Sequence, residues 1–198
     1  MPRKFTDKKL LVASSNKGKI IEIQDLLNKY NVEPIAPNNF NISVPEETGA
    51  TFIDNAVIKA RHYCLKSGLP ALADDSGLCV DVLGGLPGIY SARWADDGND
   101  FASAMARIQQ ETLGKSNLNA HFVCALSLCW PDGHVENFEG FAYGRLTFPL
   151  RGDNGFGYDP IFIPEDYDIT FAEMKLEEKH KISHRAAAFA KLVQGCFA

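Results

Sequence analysis

The chain has no Cys-x-x-Cys pair, no apolar run long enough to cross a membrane and no excess of positive charge. Its five cysteines, Cys64, Cys79, Cys124, Cys129 and Cys196, are odd in number. Without paired spacing they indicate neither a disulfide framework nor a zinc site. Cys64, Cys79 and Cys124 sit in apolar runs, where a thiol packs as a small hydrophobe. The N-terminus, Met1 to Phe5, is basic but lacks the apolar core of a signal peptide. No stretch approaches the roughly 20 apolar residues of a membrane span. The expected setting is the cytoplasm, with no membrane partner. The net charge of −5 argues against a nucleic-acid partner, which usually calls for a basic excess. It does not exclude a small anionic substrate held in a local basic pocket. Repeats and low-complexity tracts are absent too, so 198 residues make one domain or two closely joined lobes.

What is present is an alternation of strand and helix signals. Lys9 to Ser14 reads as a short buried strand. Lys17 to Tyr30 carries apolar residues at helical spacing: Ile20, Ile23, Leu26, Leu27 and Tyr30. Pro34 to Pro45 reads as loop with brief extended pieces. Thr51 opens a second helix with Asp54 at the capping-box position, and Gly68 and Pro70 end it. Leu69 to Ala73 reads as a strand closed by Asp74 and Asp75. Phe101 to Leu113 forms a third helix. Ala120 to Trp130 and His134 to Arg145 form a hairpin around Pro131-Asp132-Gly133, and Ser183 caps a last helix to about Gln194. Strand–helix alternation early and a hairpin late predict an α/β fold with a mixed sheet.

Five segments carry candidate chemistry. Neighbours on a strand point to opposite faces, so one of Asp74 and Asp75 faces packed structure and the other an open strand end. A carboxylate there, followed by Ser76 and Gly77, suits a hard cation or a water-activating base; a polar strand-to-turn exit is the plainer alternative. Ser14, Ser15, Asn16, Lys17, Gly18 and Lys19 join the first strand to the first helix, a place where backbone N–H groups attract phosphate. This is not a P-loop, since Ile20 stands where a Ser or Thr would bind magnesium, and an N-capped helix with solvated lysines is the alternative. Glu46 and Glu47 either favour the positive start of the next helix or supply a metal ligand opposite Asp75. Phe156 and Tyr158, with Gly155 and Gly157 between and before them, offer ring faces for a base or anchor a long loop. Ser183, His184 and Arg185 place donors in a row at a helix start, or are a cap plus surface charge. Together the segments make a kit for magnesium and a nucleoside triphosphate.

The motifs S-S-N-K-G-K at 14–19, E-E-T-G-A-T-F-I-D-N-A at 46–56, K-A-R at 59–61 and A-D-D-S-G-L at 73–78 resemble the inosine triphosphate pyrophosphatase family. So do G-G-L-P-G-I-Y-S-A-R at 84–93, G-F-G-Y-D-P-I-F at 155–162 and S-H-R at 183–185. The resemblance runs nearly end to end. It implies one catalytic domain over residues 1–198, an elongated two-lobed α/β fold around a curved mixed sheet with the site in the cleft, and a homodimer. It implies hydrolysis of ITP, dITP and XTP to monophosphate and pyrophosphate with Mg2+. Carried onto this chain, it assigns Ser14 to Lys19 and Lys59 to the triphosphate and Ser76 to substrate contact. Glu46 and Asp75 become metal ligands, with Asp75 also the general base. Phe156, Gly157, Tyr158 and Asp159 frame base and sugar, and Lys179, His184 and Arg185 read the base. The competing readings are a Maf-like pyrophosphatase for other modified nucleotides and a nucleotide sensor that does not turn over.

Overall fold

The structure, a computed structural model, describes residues 1–14, 16–96 and 100–197. The described residues form six strands: β1 (Lys9–Ala13), β2 (Glu33–Ile35), β3 (Ala71–Val80), β4 (Asn119–Cys129), β5 (Val135–Leu146) and β6 (Phe162–Pro164). They lie in one mixed sheet of order β2-β1-β3-β4-β5-β6. β1 runs parallel to β2 and β3, and β5 runs antiparallel to β6. Helices α1 (Lys17–Leu27), α2 (Phe52–Ser67), α3 (Ser91–Trp94), α4 (Phe101–Glu111), α5 (Leu176–Ile182) and α6 (His184–Leu192) complete the frame. No helix among the described residues is long and apolar enough to cross a membrane.

Contacts divide the chain into two compact units. The first holds Met1–Asp75, Cys124–Gly140 and Arg185–Ala198; the second holds Ser76–Val123 and Phe141–His184. The boundaries fall inside β3, β4 and β5, so each of these strands serves both units.

In the first unit, strand alternation sorts the core into two layers. Leu10, Val12, Leu72, Cys124, Leu126 and Leu128 face Ile23 and Leu27 of α1 and Ala188, Phe189 and Leu192 of α6. Leu11, Ala13, Ala71, Ala73 and Cys129 face Ala60, Tyr63 and Cys64 of α2. The helix that carries this second layer begins as the sequence predicts. The Thr51 hydroxyl accepts the Asp54 N–H at 3.1 Å and the Asp54 carboxylate accepts the Thr51 N–H at 3.1 Å. Such a cap contributes about 1 kcal/mol. Gly68 ends the helix in the left-handed conformation, φ 69°. The second unit packs Leu78, Val80, Phe122, Ala142, Leu146, Ile161, Phe162 and Phe171 around α4, which contributes Ala104, Met105 and Ile108.

Two expectations change. β3 does not close at Asp74 and Asp75 but runs on to Val80. Aspartate is a poor strand residue, yet each of these two is matched by cations from a facing helix, and a paired charge can be buried. β1, by contrast, ends within one residue of the expected Ser14: its last pairing is Ala13 with Ala73, so both carboxylates follow directly on its edge. The short β6 and α5 have no counterpart in the periodicity reading. Each is under eight residues, too short for a pattern to register. The hairpin forms as predicted, with Trp130 N–H donating to His134 O at 3.0 Å.

Candidate active site

The two-layer packing of the first unit decides what Asp74 and Asp75 meet. Asp74, on the layer of α1 and α6, accepts the Nε–H of Arg185 at 2.8 Å and pairs with Lys19 Nζ at 2.7 Å. Arg185 also pairs with Glu22 of α1, and the Cys124 thiol donates to Asp74 at 3.1 Å. Glu22, Asp74 and Arg185 are all buried. Burial alone would raise the Asp74 carboxyl, but Arg185 and then Lys19 outweigh it and hold it well below the usual carboxylate range. The cluster is charge-balanced, with two carboxylates against a guanidinium and an ammonium.

Asp75, on the layer of α2, accepts Lys59 Nζ at 2.8 Å and the Asn55 amide at 3.4 Å. Lys59 also reaches Glu47 at 2.7 Å. Asn55 and Lys59 are one helical turn apart on the same face of α2, as i, i+4 spacing dictates. Asn55 further accepts the Gly49 N–H at 2.8 Å, which ties the loop bearing Glu47 to the helix start. Burial pushes the Asp75 carboxyl upward, more than Lys59 and Lys19 pull it down. For Lys59, burial is outweighed by Asp75 and Glu47, and its ammonium is favoured.

The first loop is built on Asn16. Its side chain accepts the Lys19 N–H at 3.1 Å and so caps α1, while the Ser14 hydroxyl accepts the Asn16 N–H at 3.2 Å. Lys17 is exposed and Gly18 half-buried at the helix start. Ser15 lies outside the described residues.

The second unit gathers a separate cluster. The Asp159 carboxylate pairs with Lys179 Nζ at 2.6 Å and accepts the Phe156 N–H at 2.9 Å. The Lys179 ammonium lies 4.8 Å from the centre of the Phe156 ring, within cation–π range. Gly155 makes this possible: its φ is +74°, and a Cβ there would stand 2.1 Å from Asp159 Oδ2. Gly157 follows at φ +70°. His184 stacks on Phe122, ring centres 4.8 Å apart and planes 13° off parallel. Ser76 is half-buried on β3.

These positions give four of the expected site regions definite partners. Arg185, expected at the base, is 1% exposed and pairs with Asp74 and Glu22. Tyr158, expected beside base and sugar, is buried, donates its hydroxyl to Ser91 O at 2.8 Å and packs edge-on against Phe101. Lys59, expected at the triphosphate, bridges the Asp75 and Glu47 carboxylates. The acid that meets Asp75's lysine is Glu47, whereas Glu46 is exposed. The sequence offered two adjacent glutamates and nothing local to choose between them. Glu22 and Asn55 were missed, although Glu22 lies three residues after Lys19 and Asn55 four before Lys59 on the same helices, spacings that bring their side chains together.

Among the described residues, no three or more His, Cys, Asp and Glu side chains are gathered to hold a metal ion. Two carboxylates nevertheless suit magnesium, which binds through one or two and keeps waters and phosphate oxygens as its other ligands. Asp75 and Glu47 come close enough to share one cation, the Lys59 ammonium, so these two carboxylates are the ones that would hold such an ion.

Fold and site define an α/β protein whose Asp74 and Asp75 clusters lie just beyond the end of the parallel strand β1, the usual location of ligand sites in such sheets. The chain belongs to the Ham1 family, whose model matches residues 10–195. It is 54% identical over 200 residues to a dITP/XTP pyrophosphatase of Rhodospirillum centenum, covering 100% of this chain and 98% of that one. A dITP/XTP pyrophosphatase of Ruegeria pomeroyi is 51% identical, covering 100% and 99%. Among solved structures, a HAM1 protein from Coxiella burnetii superposes with a TM-score of 0.87 at 36% identity, covering 95% of this chain and 98% of that one. A nucleoside-triphosphatase / dITP/XTP pyrophosphatase from Mycobacterium abscessus gives 0.75 at 41% identity, covering 93% and 97%.

Proposed function

We propose that this protein is a magnesium-dependent pyrophosphohydrolase that converts ITP, dITP and XTP to the monophosphate and pyrophosphate. The observation that carries the reading is the Asp75–Lys59–Glu47 cluster, placed directly after the end of β1 in a chain about half identical over its full length to dITP/XTP pyrophosphatases. A triphosphate repels nucleophiles through its own charge. Magnesium, when bound, supplies charge neutralisation at the phosphates, and Asp75 and Glu47 are the carboxylates that would hold it. Lys19 and Lys59 add two ammonium groups for phosphate oxygens, with the capped start of α1 as a further anion site. Asp75 is the general base, a carboxylate beside the metal site that can accept a proton from water. The proton it takes comes from the attacking water, and the pyrophosphate leaves.

Base choice falls to the second unit. Phe156 gives a ring face, while Lys179 and His184 give donors. Hypoxanthine and xanthine carry an acceptor oxygen at position 6, where adenine carries an amino donor. Donor against donor leaves buried groups unpaired, at about 1–3 kcal/mol each. The protein works as a cytoplasmic homodimer, a reading in keeping with five buried, unbridged cysteines and with the family resemblance. Residues 1–198 serve as one catalytic domain, a reading supported by the three strands that enter both units.

A panel of nucleoside triphosphates with magnesium, assayed separately for pyrophosphate and orthophosphate, tests the proposal. Pyrophosphate release from ITP, dITP and XTP well above that from ATP is expected. Orthophosphate as the first product, or no turnover, would refute it.

A further inference from the structure

We infer that the Lys59 ammonium is a built-in counter-cation for the metal site, which a divalent ion must displace on binding. The inference rests on the reading of Asp75 and Glu47 as metal ligands.

Lys59 is 8% exposed, and its Nζ is 2.8 Å from Asp75 Oδ1 and 2.7 Å from Glu47 Oε1. A lysine midway along a helix usually carries its charge out to water along a flexible stem. Here it is turned inward and spans an acid from a strand and an acid from a loop. Asp75 and Glu47 belong to separate elements, so without a cation between them two like charges would face each other in a partly dry site. The ammonium answers that repulsion in the empty enzyme. It also occupies the same two oxygens that a divalent ion would need, and ammonium and ion repel each other. Metal entry therefore expels Lys59 from the carboxylates and turns its charge toward incoming phosphate. Metal and triphosphate then favour each other's binding, because each removes the cost the other would meet alone. The empty enzyme binds metal weakly, and the nucleotide-bound enzyme binds it well.

The test measures metal, not turnover. Mn2+ is titrated into substrate-free wild type and Lys59→Met by calorimetry. Lys59→Met is expected to bind about tenfold more tightly or better, a gain of about 1.4 kcal/mol or more. A residue that merely supported the fold would not tighten a metal on removal. Should Lys59→Met fail to fold, wild type alone decides. Labelling with an N-hydroxysuccinimide ester, read by mass spectrometry, should modify Lys59 faster when Mn2+ is present. Equal or weaker binding by the variant, or Lys59 labelling unchanged by bound Mn2+, overturns the inference while leaving the metal reading intact. No Mn2+ binding by either protein overturns both.

Discussion

Asp74 and Asp75 differ by one position on β3 and therefore by 180° in direction, and that difference sets their chemistry. Asp74 is closed in by a guanidinium, an ammonium and a thiol on the layer of α1 and α6. Asp75 shares the α2 layer with one lysine and one asparagine. Asp75→Asn keeps the shape and removes the group that accepts a proton. A fall in kcat for ITP on the order of 10²–10⁴ is expected from loss of the base, with unchanged thermal unfolding. Near wild-type turnover at saturating magnesium would show that the base lies elsewhere. Arg185 has the opposite profile. Arg185→Met leaves Asp74 and Glu22 buried without their shared partner, which costs about 3–5 kcal/mol. Were holding Asp74 and Glu22 its whole role, the ITP:ATP ratio of kcat/KM in the surviving folded protein would stay as in wild type; a narrowed ratio would place Arg185 at the base. Because the folded Asp74 carboxyl is depressed below its unfolded value of about 3.9, the stabilisation is full above about pH 4. It fades as pH falls further, toward the folded value. The gap in urea-unfolding free energy between wild type and Arg185→Met should accordingly narrow below about pH 4.

At the scale of elements, the helices supply the charges that the strand cannot neutralise for itself. α1 brings Lys19 and Glu22, α2 brings Asn55 and Lys59, and α5 brings Lys179 to Asp159. Helix α5 was invisible as a pattern because it spans only Leu176–Ile182, yet it carries the lysine assigned to the base. Lys179→Met is expected to lower kcat/KM for ITP more than for ATP, since only the 6-oxo purines offer that ammonium an acceptor. An equal loss for both would make Lys179 a support for the Phe156 loop alone. The long helices and the hairpin were legible because Thr51-Asp54, Gly68 and Pro131-Asp132-Gly133 act through neighbours in the chain. The partner of Arg185 was not, because Glu22 lies 163 residues away. No local signal says that an arginine beside a helix start turns inward. For the same reason Glu46 and Glu47 could not be ranked before the loop was folded against Asn55.

The whole chain divides into two units that share β3, β4 and β5. Its charge, cysteine content and full-length likeness to dITP/XTP pyrophosphatases agree with an enzyme of the free nucleotide pool. Light scattering across a wide concentration range should give twice the mass of a 21.8 kDa chain; one subunit mass throughout would rule out the homodimer. The proposed hydrolysis has water attack the α-phosphorus, with pyrophosphate leaving. Hydrolysis of ITP in water enriched in 18O measures this most directly, with the products resolved by mass spectrometry. Label in IMP, with unlabelled pyrophosphate, is the expected result. Label in pyrophosphate, or IDP with labelled orthophosphate, would contradict it.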